Sequence, residues 1–195
     1  MPTCHNGPVS SNVRPHNMKR VALAALEYAL GFLALAVFAA IAFGNGEPTD
    51  ERMISAFKVG AAIAAVELAV LLGRSAPANR LIIGANLWLL VGGVAAVLEQ
   101  WWLLKGYQKL GEAGLFIAML TVGLATTALS PAGFVAATGE RRRVLWSSAA
   151  LVVAVSLALV GAIHFRGDVK LAAVLPVILL SWLNRLLRRV AASGA

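Results

Sequence analysis

Apolar residues fall in six long runs, at approximately residues 21–43, 54–72, 81–104, 114–137, 144–164 and 171–187, with short polar segments between them. Each run is close to the ~20 residues an α-helix needs to cross a ~30 Å hydrocarbon core. The pattern predicts an all-α fold, a polytopic transmembrane helical bundle with six spans. The bundle is expected over residues 21–187, between a polar tail at 1–20 and a short tail at 188–195. The second run is the weakest, because it holds both Lys58 and Glu67.

Composition strengthens this reading. Hydrophobic residues make up 59% of the chain and charged residues 13%, against roughly 25% charged in a soluble domain. There is too little polar surface to cover six such runs in water. The lipid bilayer is therefore the first partner expected. The net charge of +8 suggests nucleic acid at first, but the basic residues sit at helix ends and form no soluble patch, which argues against it. Cys4 is the lone cysteine, so neither an intramolecular disulfide nor a thiolate metal cage is available.

Lys and Arg in short flanks set orientation. With six spans and the N-terminus in the cytoplasm, 11 of the 17 basic residues fall inside, among them the Arg141–Arg143 triplet. The acids Glu47, Asp50, Glu51, Glu112 and Asp168 fall outside, and Glu140 inside. The expectation is a multi-pass protein of a bacterial inner membrane with both termini cytoplasmic. Met18-Lys19-Arg20 before the first run resembles a start site with a charged n-region. Residues 1–17 are then either an upstream extension or a polar tail. The first run exceeds a signal-peptide core of 7–15 residues, so it reads as a retained anchor helix. Trp101, Trp102, Tyr107 and Trp146 lie near predicted helix ends, where interfacial aromatics anchor spans.

Ionisable groups inside a membrane are costly and mark candidate sites. At 1.5 Å per residue, Glu27 and Glu67 lie about 9 Å and about 8 Å from the cytoplasmic ends of the first two spans. Asn86, Thr127 and Ser130 reach a similar level, with Tyr28 and Asn184 as lesser contributors. Two carboxyls at one depth in a dry site can share a proton. Glu27, Glu67, Asn86, Thr127 and Ser130 are thus the candidate intramembrane polar or proton site. The plainer alternative has Glu67 reaching Arg74 or Arg80, and Glu27 reaching Arg20 or solvent. Lys58 and Glu99 are a candidate structural ion pair near the outer ends of the second and third spans. The segment from Thr126 to Phe134 contains hydroxyls, Pro131 and Gly133, which predicts a kinked or unwound helix. Pro176 is a second kink candidate. Gly60-x-x-x-Ala64 and Gly92-Gly93 are expected close-packing sites.

His164 is the one histidine within a run, and His5 and His16 lie in the tail. Two histidines at matched depth are therefore lacking, so no haem, metal or other cofactor is expected. No phosphate-binding loop, HExxH or Gly-x-Ser-x-Gly is present, and no enzymatic activity is expected. Two functional classes remain. One is a small transport or ion/proton-coupled membrane protein. The other is a non-catalytic structural or assembly component. A homo-oligomer or a membrane-protein partner is the further association either class allows. A transporter would need a polar path to both faces, with Glu99, Lys58 and Thr121 as its outer half.

Overall fold

The computed structural model describes residues 31–44, 46, 49–73 and 78–193, and these form helices and turns without a strand among them. The helices are α1 (Leu33–Phe43), α2 (Asp50–Leu72), α3 (Arg80–Val97), α4 (Trp101–Leu110), α5 (Ala113–Leu129), α6 (Arg141–His164) and α7 (Leu175–Ala192), with a π-helical turn at Lys170–Val174 leading into α7. Four of these segments are long and apolar enough to cross a membrane: α2, α3, α6 and the π turn joined to α7. The bent pair α4 and α5 makes a fifth if counted as one span. The described part of the first run, α1, is a shorter apolar helix.

Helix starts follow local chemistry. The Thr49 hydroxyl accepts the Arg52 amide ahead of α2, and Asp50 and Glu51 occupy its first turn, where carboxylates suit the positive end of the helix dipole. Asn79 caps α3 by accepting the Leu81 amide at 3.1 Å.

Two expected boundaries are corrected. The third run does not continue to residue 104 as one helix; α3 stops at Val97. Its 18 residues already extend about 27 Å at 1.5 Å per residue. The polar Glu99-Gln100 pair then leaves the helix, with Glu99 at φ +52°. The chain restarts as α4, which meets α5 at 97°. The fourth run likewise ends at Leu129 rather than 137. Pro131 and Gly133 follow, and residues 131–136 form turns, as the breakers there predict. Pro176 does not kink the middle of a span. It lies in the first turn of α7, where its missing N–H is tolerated, and the irregularity is the π turn just before it.

α3 is the centre of the bundle, packed on α1, α2 and α5; α6 packs on α5, and α7 on α6. Glycine permits the closest approach. A Cβ on Gly93 would lie 2.1 Å from the Ala61 Cβ, and one on Gly92 2.4 Å from the Phe57 ring. Gly60 and Ala64 are both buried in α2. Phe38, Phe57, Trp88 and Tyr107 form one aromatic cluster with ring centroids 4.7–5.7 Å apart. The outward faces carry Val66, Val94, Leu124, Val153, Leu157 and Leu179, all exposed. In the most apolar stretch of α6 28% of residues are buried, and in that of the π turn with α7 17%. Exposed apolar surface on this scale has lipid as its natural solvent.

Candidate functional site

The polar residues of the bundle separate into two clusters near one end and a rim at the other. Phe32 has φ −110° and ψ 8° and stands at the N-cap of α1, where the first amides lack acceptors within their own helix. The Ala34 amide donates to Glu67 Oε1 at 3.0 Å. The other carboxyl oxygen, Oε2, accepts from Asn86 Nδ2 at 2.8 Å. Glu67 therefore joins α1, α2 and α3, with its negative charge at a helix N-terminus where it is favoured. Asn86 is fully buried, and its Oδ1 has no hydrogen-bond partner.

Of the five candidate site residues, the structure brings together Glu67 and Asn86. Glu27 lies outside the described residues, as do Tyr28, Arg20 and Arg74. Thr127 is not part of the pair, because its hydroxyl donates to its own helix at Gly123 O, 2.7 Å away. Ser130 belongs to the second cluster. Its Oγ accepts from Arg80 Nη2 at 2.7 Å, and Arg80 Nη1 donates to the Gly133 carbonyl. Arg80 thus does not reach Glu67. It holds the unwound segment after α5, where the last carbonyls of a helix attract a cation.

That segment is packed rather than loose. Residues 133–137 are buried. Gly133 has φ +56°, and a Cβ there would fall 2.3 Å from Ser148 Oγ, so the turn needs glycine on both counts. Ser148 Oγ accepts the Val135 amide at 3.4 Å. Asn184 Nδ2 donates to Asn79 Oδ1 at 3.1 Å, tying α7 to the start of α3. Sequence reasoning placed Arg80 as a flanking charge and as a possible partner of Glu67, not as a cap for this segment. The signal for its capping role was the Pro-Ala-Gly break, but nothing local names a residue 50 positions away as its partner.

Lys58 and Glu99 are not brought together as an ion pair. Both are exposed. Glu99 lies in the turn that ends α3, not on a helix facing α2. Thr121, the other outer-half candidate, donates to Ile117 O within α5 at 2.9 Å. His164 is exposed and stacks edge-on with Phe165 at 5.0 Å. Among the described residues no three His, Cys, Asp or Glu side chains cluster as a metal site would require.

The feature sequence reasoning missed is a cavity of about 1230 Å³ at the end opposite Arg80. α1 lines one side with Phe32, Leu35, Ala36 and Ala39, and α7 the other with Val177, Ile178 and Ser181. α1 and α7 share no packed interface. The floor is the aromatic cluster, where the Tyr107 hydroxyl donates to Trp88 O at 3.2 Å and fixes α4 on α3. The rim is polar: Thr49, Asp50, Gln108, Glu112 and Arg166. Gln108 bridges two of these charges. Its side-chain Nε2 donates to Asp50 Oδ1 at 2.6 Å, and its backbone carbonyl accepts from Arg166 Nη2 at 3.2 Å. An apolar chamber with a small set of polar groups at one edge is the general form of a binding site for a largely apolar molecule. It arises where α1 and α7, distant in sequence, stand apart, so no run of residues announces it. Comparison with protein-family models, with curated proteins and with solved structures gives no match.

Proposed function

We propose that this chain is a six-span protein of a bacterial inner membrane, with both termini cytoplasmic, that binds an amphiphile in the outer half of its bundle. It acts as a non-enzymatic carrier or transport component. The observation that carries this reading is the cavity between α1 and α7 with its polar rim. Its ~1230 Å³ exceeds the ~300–1,000 Å³ of pockets for drug-sized ligands. Its walls are apolar and its rim is polar, so a molecule with one or two hydrocarbon chains and a polar head suits it. That match is the ground for preferring transport to the structural or assembly reading.

Charge supports the orientation. Arg80, Arg141, Arg142, Arg143, Arg188 and Arg189 lie toward the end that holds the buried 133–137 segment. The rim end carries Asp50, Glu51, Glu112 and Asp168 among its basic residues. The arginine-rich end is then cytoplasmic, and the cavity belongs to the outer leaflet. α4 fits an interfacial helix, with Leu104 buried, Trp101 and Trp102 exposed, and Lys105 and Lys109 exposed. The Glu67–Asn86 pair serves α1 by capping it, which positions one wall of the cavity.

The test fills the cavity. Protein purified in mild detergent is examined by native mass spectrometry for retained lipid mass. The wild type should retain a lipid, and the Ala36→Trp/Ala39→Trp variant should lose it while keeping its helical content. Equal retention by the two proteins would overturn the reading.

A further inference from the structure

The rim has a chemistry of its own. It presents two carboxylates and one guanidinium that are not ion-paired with one another. Gln108 stands between Asp50 and Arg166 and bonds to both. Asp50 uses Oδ1 for Gln108, which leaves Oδ2 available. Glu112 precedes α5 yet makes no side-chain capping bond. Arg166 spends one N–H on the Gln108 carbonyl, out of the five a guanidinium carries. Opposite charges are thus held side by side with capacity left on each, above an apolar chamber.

Ligand classes differ in how they answer that rim. A purely apolar molecule gives none of the three charges a partner beyond Gln108. An anionic lipid satisfies Arg166 but meets the carboxylates of Asp50 and Glu112. A cationic amphiphile has the reverse fault. A head with both signs, the cation and anion a few ångströms apart, answers all three, since charge complementarity at a rim sets specificity.

Resting on the amphiphile reading above, we propose that the cavity holds a zwitterionic membrane phospholipid. Its ammonium lies at Asp50 and Glu112, its phosphodiester at Arg166, and its chains run down between α1 and α7. Charge-assisted hydrogen bonds at both ends of the head give the selectivity. Gln108 is the positioning residue that keeps Asp50 and Arg166 apart.

The experiment titrates the full-length protein in detergent with three synthetic lipids of identical dioleoyl chains, read by native mass spectrometry. Their heads are phosphoethanolamine, phosphoglycerol and the bare hydroxyl of diacylglycerol. The wild type should bind the phosphoethanolamine lipid about tenfold more tightly than either of the others, the scale of one good charge-assisted bond. Asp50→Asn/Glu112→Gln should erase the advantage over phosphoglycerol. Arg166→Gln should shrink the advantage over diacylglycerol to the part that Asp50 and Glu112 supply. Equal wild-type binding of all three lipids, with Ala36→Trp/Ala39→Trp still abolishing it, would overturn the headgroup assignment and leave the cavity reading standing. Binding of all three undiminished in the Trp variant would overturn both. Ala173→Trp, on the π turn at the opposite wall, repeats the blocking test if the α1 variant does not fold.

Discussion

Glu67 illustrates how a residue flagged for chemistry can be occupied by structure. Both its carboxyl oxygens accept bonds, one from the Ala34 amide and one from Asn86. A glutamine can serve the same geometry. Its carbonyl would accept from Ala34 and its amide would donate to Asn86 Oδ1, which has no partner at present, once the Asn86 amide turns over. Glu67→Gln should therefore melt within a few degrees of the wild type in detergent. Glu67→Leu orphans two buried donors and should lose about 1–3 kcal/mol. Thermal unfolding of both variants is the check. A glutamine variant as unstable as the leucine variant would mean that the charge itself matters, and a proton or ion role would return to the front. The sequence placed Glu67 and Asn86 at a similar depth, because helical rise converts position into height, although the pair it singled out was Glu27 with Glu67. It could not separate Thr127 and Ser130 from them. Depth says nothing of azimuth, and these hydroxyls turn to Gly123 and Arg80 instead.

At the scale of elements, apolar runs predicted helices well and their ends poorly. A run of apolar residues marks what lipid or core will accept, whereas helix ends are set by backbone events. Glu99 at φ +52° ends α3 although Trp101 to Leu104 keep the run apolar. The break between α3 and α4 was therefore invisible to hydropathy. The Pro131 and Gly133 break was legible, because proline and glycine act on the backbone directly. Small residues were legible in the same way. Gly93 sits where a Cβ would fall 2.1 Å from the Ala61 Cβ and 3.0 Å from Phe57 O, so a larger side chain must push α2 off α3. Gly93→Leu should cost at least the ~1–3 kcal/mol typical of overpacking. Gly106, with open space around its Cβ position, should tolerate alanine without measurable loss. Paired melting curves of Gly93→Leu and Gly106→Ala test this, and equal stability of the two would contradict the packing described for α2 and α3.

For the whole molecule, the order of helices separates two ends with different work. At one, Arg80 and Asn79 gather α5 and α7 around a buried turn. At the other, α1 and α7 stand apart over an aromatic floor. One closed end and one roomy end suit the proposed protein that receives an amphiphile from a single leaflet. The helical class with several span-length apolar helices followed from run length and composition, but the cavity did not, since it depends on which helices fail to meet. Trp88 lies in its floor with 8% exposure, so it reports on occupancy. The direct measurement replaces the exposed Trp101, Trp102, Trp146 and Trp182 with phenylalanine and follows Trp88 fluorescence. A phosphoethanolamine lipid with brominated chains is titrated in as quencher. Quenching that saturates at about one lipid per protein is the predicted result. Quenching that is absent, or that rises without saturation as brominated lipid accumulates, would contradict a bound amphiphile in this cavity.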